Sequence, residues 1–183
     1  FLNGSLTSVG TGFQGNFFGN NTGTSALNTV VFESGSVYEQ QSGSNPFGAG
    51  QPSSVCTFQT GSLYRLAAGA TVTPSFSGRN YANFEHAAAG PTTVTGGSPV
   101  TMDNCLVSAG VMNWGMTGDQ NVIRGNLTVA LGATLNFAPG SGTPVTTFGG
   151  TAVQTITNNG TLTANALQVL NVNNAAGVNL ATD

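Results

Sequence analysis

The sequence predicts an all-β fold in which the chain winds into a β-solenoid of about seven to eight coils. Three observations favour this fold: internal near-copies, a regular spacing of glycine-closed turns, and short apolar–polar alternations in place of helical periodicity. Self-similarity at about 20–50 residues is typical of stacked repeats. An antiparallel sandwich fits less well, because each of its strands finds its own partner and needs no fixed period.

The near-copies lie in two places. Residues 31–38, VFESGSVY, return as TFQTGSLY at residues 57–64, an offset of 26. Residues 104–110, NCLVSAG, return as NLTVALG at residues 126–132, an offset of 22. Glycines that close runs of small residues are spaced by 20–26 residues, at Gly43, Gly69, Gly90, Gly110 and Gly132. One coil therefore takes about 20–26 residues, and about eight coils would form a rod of roughly 40 Å.

The domain boundaries follow from where this period begins. Residues 1–27 fit it poorly and are predicted to form an irregular N-terminal cap or joining segment. Residues 28–183 are assigned to the β-solenoid repeat domain. Within it, the loop at residues 44–50 is predicted to be an insertion in one coil, with Phe47 either tucked back onto the rod, which we favour, or exposed to a partner. Alternating strand patterns between Gly, Asn and Pro turns are clearest at residues 127–131, 153–157 and 167–172.

The coil period also assigns side chains to columns that run along the inside of the rod. It places Cys105 beside Leu127, and Tyr38 beside Tyr64, in consecutive coils. Like residues stacked in this way bury apolar area at about 25 cal/mol per Å², and stacked rings add further attraction. The predicted core ladder consists of Phe32, Phe58, Phe84, Cys105, Leu127, Val107 and Val129.

The composition excludes two classes of partner. Only 5% of the residues are charged, lysine is absent, and the net charge is -3, whereas nucleic-acid binding needs clustered Lys or Arg. No stretch approaches the roughly 18 apolar residues that a membrane-spanning helix needs. With so few charges, electrostatic repulsion between copies is weak and does little to prevent self-association. A low content of charged residues is also typical of an extracellular protein.

Because the chain begins at Phe1 and not at Met, we expect a processed product or a fragment of something longer.

The two cysteines are predicted to be free. An even number of cysteines in an extracellular chain suggests a disulfide. The repeat register opposes one, because Cys56 takes the place of Val30, and Cys105 that of Leu127. The two positions lie about two coils, or roughly 10 Å, apart, beyond the roughly 7 Å limit between bridged Cα atoms. We expect buried thiols and no metal site.

Candidate catalytic residues are few. Glu85, His86 and Asp103 lie one coil apart, with Arg79 and Arg124 in neighbouring coils, and polysaccharide cleavage needs such carboxylates. Adjacent strand residues point to opposite faces, however, so Glu85 and His86 cannot act together. A lone histidine beside a turn is most simply a surface polar residue, and Asp103 is typical of a coil corner. We therefore expect no enzyme activity and no cofactor.

The two tyrosines that lie one repeat apart have two possible interpretations. Tyr38 and Tyr64, one repeat apart, are the best pair for a sugar-stacking platform. The simpler interpretation is an aromatic ladder that stiffens the rod.

Several segments of the sequence resemble those of a known class of proteins. Residues 122–129 and 132–137, VIRGNLTV and GATLNF, together with residues 58–65 and 170–178, resemble secreted surface β-helix repeat proteins of the Bacteroidota type. The resemblance implies a right-handed parallel β-helix in an adhesin, stalk or filament, often exported by type IX secretion. It carries no shared catalytic residues.

We therefore expect an extracellular structural protein, secreted or on the cell surface, that forms filaments through end-to-end self-association. Solenoid ends present unpaired backbone edges, and neither terminus shows an obvious charged or helical cap. Surface glycans are the expected further partners. The alternative is a β-helix protein that binds or processes polysaccharide.

Overall fold

The computed structural model of the chain describes residues 4–9, 18, 28–43, 45–48, 54–137 and 142–182. In these ranges the chain forms strands and turns without any helix. All pairings between the named strands are parallel, and successive strands stack on one another. The predicted all-β β-solenoid is confirmed.

The strands lie on three faces that the chain visits in turn. Face A contains β1 (Ser5–Ser8), β3 (Val37–Gln40), β5 (Leu63–Leu66), the second halves of β6 (Arg79–His86) and β8 (Val100–Val107), β11 (Leu127–Val129), β14 (Gln154–Asn158) and β17 (Val178–Ala181). Face B contains the first halves of β6 and β8, β10 (Asn121–Ile123), β13 (Val145–Phe148) and β16 (Val169–Val172). Face C contains β7 (Thr92–Gly96), β9 (Val111–Met116), β12 (Thr134–Phe137) and β15 (Thr161–Ala164), and a separate pair is formed by β2 (Val30–Phe32) and β4 (Cys56–Phe58).

The winding makes about six turns between β2 and β15. Strand β1 precedes these turns, and β16 and β17 follow them as a partial turn. The expected seven to eight coils are therefore approximate. The difference arises at the two ends, where the described chain adds strands to the stack without completing all three faces.

The core ladder predicted from the repeats is confirmed by the strand register. In face A, Phe84, Cys105 and Leu127 are directly paired, and Val107 pairs with Val129. The same column extends back through Tyr64 and Tyr38. The Phe32 and Phe58 rings of β2 and β4 stack with centroids 4.5 Å apart and planes 4° from parallel. The whole predicted ladder is buried.

The long strand β8 turns the corner from face B to face A. Met102 and Cys105 are both buried although they are three residues apart, so the inward alternation of two shifts by one residue. Asp103 and Asn104 consequently lie together on the outer side, the first half-buried and the second exposed. Asp103 is thus a corner residue, as its sequence context predicts.

Two features involve the segments that the repeat did not explain. Of residues 1–27, Ser5–Ser8 form β1, which pairs with β3, and thus belong to the sheet. Most of the remainder of that segment lies outside the described residues. Phe47 is tucked into the core with its side chain 0% exposed, and its ring meets those of Phe58 and Tyr81 at centroid distances of 5.4 and 5.2 Å.

A glycine of the repeat sits where consecutive coils touch. Gly110 has φ +62°, a backbone conformation that disfavours other residues. A Cβ atom there would also lie 2.2 Å from the Ala88 carbonyl oxygen of the preceding coil. Gly69, Gly90 and Gly132 close the corresponding turns, but a Cβ atom on any of them would meet nothing within 4 Å. The close approach of two coils therefore explains Gly110 and not the spacing of these glycines.

Removing a ladder side chain should weaken the stack far more than removing an equally large surface side chain. Leu127 is 0% exposed and Leu131 is 86% exposed, four residues apart. Leu127→Ala should lower the free energy of unfolding by about 2–5 kcal/mol. Leu131→Ala should change it by no more than about 0.5 kcal/mol. Urea unfolding followed by circular dichroism measures both, and equal shifts would show that the interior is not packed as described.

Candidate interaction surfaces

The two tyrosines predicted as a sugar platform lie inside the solenoid. Tyr38 and Tyr64 are both 0% exposed, and their ring centroids lie 5.2 Å apart. The Tyr64 hydroxyl donates a hydrogen bond to the side-chain oxygen of Gln40, and burial raises the pKa of Tyr64 well above its usual value. The ligand-binding prediction for this pair is wrong, because both rings face the core. They form part of an aromatic ladder.

The single histidine is also buried, which corrects the expectation of a surface residue. The His86 Nδ1 atom lies 3.0 Å from the Ala109 carbonyl oxygen, and Nε2 lies 2.8 Å from the Thr92 hydroxyl. A carbonyl can only accept, so Nδ1 carries the proton of the neutral ring and Nε2 accepts from Thr92. Burial lowers the pKa of His86. A signal for this position existed in the sequence, since His86 lies one coil before the inward Val107.

Glu85 lies on the opposite, outer side of the same strand. Arg65 stands between two carboxylates, with its Nε atom 2.7 Å from Glu85 and its Nη1 atom 3.5 Å from Glu39. The three residues are paired in register on consecutive strands. The Ser108 hydroxyl donates to Glu85 at 2.7 Å. The structure therefore separates Glu85 from His86, and both have structural partners.

Arg79 and the two cysteines are interior groups. The Arg79 guanidinium donates to the Gly48 carbonyl oxygen at 2.9 Å and lies 4.9 Å from the centroid of the Phe47 ring. It holds the inserted loop against the rod, and burial lowers its pKa. Cys56 and Cys105 are free and buried, as predicted. Burial raises the pKa of each thiol to about 12, which makes them poor nucleophiles.

A polar groove of about 530 Å³ follows the corner between faces B and A. Its lining comes from five consecutive coils, beginning at Thr60 and ending near Ala152. Asp103 and Arg124 face each other across neighbouring strands, because Ile123 pairs with Met102 one position earlier. Asp103 is one of the candidate catalytic residues expected from the sequence, and Arg124 is a basic residue expected in a neighbouring coil; both line this groove.

A row of asparagines forms one wall of this groove. The Asn104 amide donates to the Asn83 side-chain oxygen at 2.7 Å, and Asn83 donates to the Ser62 carbonyl oxygen at 2.9 Å. The Asn104 oxygen accepts from the backbone N–H of Asn126 at 2.7 Å. Asn83 and Asn104 are one coil apart in register, so the repeat places like amides above one another.

The last described strands carry exposed apolar side chains. Leu180 is 81% exposed and Val172 is 60% exposed, although both lie in columns that are buried in earlier coils. Leu180 pairs with Ile156, which pairs with the fully buried Leu127. Among the described strands, β15, β16 and β17 each have a partner on one side alone. The interior surface of the solenoid thus continues to its end.

Other classes of site find no support in the described part of the chain. It contains no group of three or more His, Cys, Asp or Glu residues that could hold a metal ion. It also contains no helix long and apolar enough to cross a membrane. Models of protein families, curated proteins and solved structures all fail to match this chain. The groove and the exposed side chains of β16 and β17 are the candidate interaction surfaces.

The buried histidine should make the fold sensitive to mild acid. The pKa of His86 is lowered in the folded protein, whereas an unfolded histidine titrates near about 6.5. The unfolded chain then binds more protons below about pH 6.5, so stability falls as the pH is lowered. The free energy of unfolding should fall by up to about 1.4 kcal/mol for each pH unit between about 6.5 and the lowered pKa of the folded histidine, and no further below that pKa.

The matched variant for this measurement is His86→Gln, which keeps a polar side chain but cannot titrate. Urea unfolding of both proteins at pH 7.5 and pH 5 gives the comparison. The wild type should lose more stability on acidification than the variant. Equal losses in the two proteins would show that His86 is not the group that responds.

Proposed function

We propose that this chain is an extracellular structural protein whose copies stack end to end into a filament. The observation that carries the proposal lies on the last described strands, β16 and β17. They present exposed apolar side chains together with backbone groups that have no partner among the described residues. Such an edge is a ready template for another strand.

The side chains of β16 and β17 favour pairing with another strand, because they lack the features that normally prevent such pairing. Natural sheet edges are guarded by charged side chains, proline or bulges. Residues 125–182 contain no Asp, Glu, Lys, Arg or His, so β16 and β17 themselves carry none of the charges that guard natural edges; the first acid after them is Asp183. Val169, Leu170, Val172 and Leu180 are each at least 40% exposed. Covering them would recover the burial that equivalent side chains have inside the rod.

The partner that fits is the N-terminal end of a second copy. Strand β1 is the first described strand of face A and pairs with β3 alone. Leu6 of β1 belongs to the same column as Tyr38 and, through it, Leu180 at the other end. A parallel β1 placed against β17 would therefore continue both the hydrogen-bond ladder and the apolar column.

The symmetry of this contact predicts a fibre. The two ends of the solenoid are different surfaces, so the contact is head-to-tail, and each added copy leaves a new open end. Contacts of this kind that do not close into a ring give filaments. Location outside the cell is supported by the charge-poor composition and by the resemblance to secreted surface proteins. Protease treatment of intact cells, followed by detection of the protein, tests that location.

Charges placed on the C-terminal end should block stacking. Val172→Lys combined with Leu180→Lys puts two cations on an edge that would otherwise meet a neutral strand. Electron microscopy and light scattering at rising concentration should show filaments for the wild type and monomers for this variant. Both side chains are largely exposed, so the fold should persist, and circular dichroism checks this.

The control is Thr95→Lys, because Thr95 is exposed on β7, several coils before β16 and β17. It should form filaments like the wild type. A wild type that stays monomeric at high concentration would refute the proposal. Filaments that persist in the double variant would refute the C-terminal end as the contact.

A further inference from the structure

We propose that the groove between faces B and A binds a single strand of an acidic polysaccharide. The groove lies along the side of the rod, from Thr60 to Ala152, whereas the proposed stacking contact uses the end surfaces, so this inference does not depend on filament formation. It rests on the shape of the groove, on the side-chain amides of Asn83 and Asn104, and on Arg124, which has no ion pair with any described residue.

The groove suits an extended polymer. It takes its lining from five successive coils. Since neighbouring parallel strands lie about 4.8 Å apart, its length along the rod is about 19 Å. That length accommodates several consecutive sugar rings but leaves a small compact ligand largely unbound. The groove runs along the rod axis, so a long chain can enter and leave at both of its ends.

The asparagine wall retains donors for a ligand. A side-chain amide has two N–H groups, and the one bond that each of Asn83 and Asn104 donates leaves a second N–H free. These groups recur at the strand spacing, because the two residues are paired in register. A repeating row of donors matches a polymer whose hydroxyl and carboxylate oxygens also repeat.

Arg124 supplies the charge that selects an acidic sugar. It is exposed, and it forms no ion pair or side-chain hydrogen bond with the described residues. Although Asp103 lies opposite it in register, the two side chains do not pair within 4.0 Å. A guanidinium binds a carboxylate through two parallel N–H bonds. The Asp103 carboxylate remains available to accept from sugar hydroxyls.

Glycines keep the floor of the groove open and rigid. A Cβ atom on Gly150 would lie 2.1 Å from the Arg124 carbonyl oxygen, and one on Gly125 would lie 2.7 Å from that of Asp103. The coils therefore approach too closely at this corner for any larger residue. The groove is formed by main chain within the hydrogen-bonded stack, so little ordering is needed when a ligand binds.

Other ligand classes fit this lining less well. An extended peptide needs pockets for its alternate side chains, whereas Ala152 is the one aliphatic side chain in a lining of glycine and polar residues. A nucleic acid needs several clustered cations, and the lining contains one arginine. Cleavage by paired carboxylates needs two acids, and the lining contains one, Asp103. The inference is therefore binding without cleavage.

The test is isothermal titration calorimetry with a pentamer of α-1,4-linked galacturonate. The same pentamer with its carboxylates methyl-esterified is the matched ligand, because it keeps the backbone and loses the charge. The wild type should bind the acid at least tenfold more tightly than the ester, and raising the salt concentration should weaken the binding. Arg124→Gln should weaken binding of the acid at least tenfold.

The control variant is Arg65→Gln, which removes an arginine that is held by Glu39 and Glu85 on the adjoining face. It should bind the acid as the wild type does. No binding of the acid, equal binding of acid and ester, or unchanged binding by Arg124→Gln would each overturn the proposal. None of these results bears on filament formation, which electron microscopy of the same samples measures separately.

Discussion

The whole structure depends on parallel stacking of successive coils, about one strand spacing apart. In such a stack the nearest neighbour of a residue is the residue at the equivalent position one coil away. Like groups therefore meet like groups, whether they are rings in the core or amides on the outside. The same rule governs buried polar groups: the amide of Asn121 donates to Gly118 and Val145 and accepts from the Val100 N–H, so one side chain joins three coils.

This constraint also explains where interaction surfaces can occur. In a stack of parallel coils, the backbone N–H and C=O groups are paired with neighbouring coils inside the rod and lack such partners at its ends. It forms no deep cavity, because each coil is filled by the side chains of its neighbours. The two remaining kinds of surface are the ends and the corners, where the inward alternation shifts and polar residues such as Asp103 and Asn104 collect. The open end and the groove are these two surfaces.

The sequence was informative where the repeat was regular. Offsets of 26 and 22 residues were enough to pair Tyr38 with Tyr64 and Cys105 with Leu127, because an inward position in one coil fixes the next. It was less informative where coil length varies or where one residue breaks the alternation. The repeat register does place His86 on the inner side, one coil before Val107, but a lone histidine beside a turn favours a surface position, and the interpretation followed the residue type. Periodicity does not show that the corner brings Asp103 beside Arg124. Aromatic rings occur both in sugar-binding surfaces and in protein cores, so the sequence alone is compatible with either role for Tyr38 and Tyr64. Their burial in the structure decides for the core.

The fluorescence of one buried side chain reports on the folding of the central coils. Trp114 is the single tryptophan of the chain, and it is fully buried on face C, between the rings of Phe76 and Phe137 at 5.2 and 5.4 Å. Its indole N–H has no hydrogen-bond partner among the described residues, so its emission reports a dry, apolar setting. Unfolding of the last coils alone would leave the tryptophan emission unchanged, whereas unfolding of the central coils would shift the emission to longer wavelengths. A solenoid that opens stepwise from its end would thus show secondary structure decaying before its fluorescence responds.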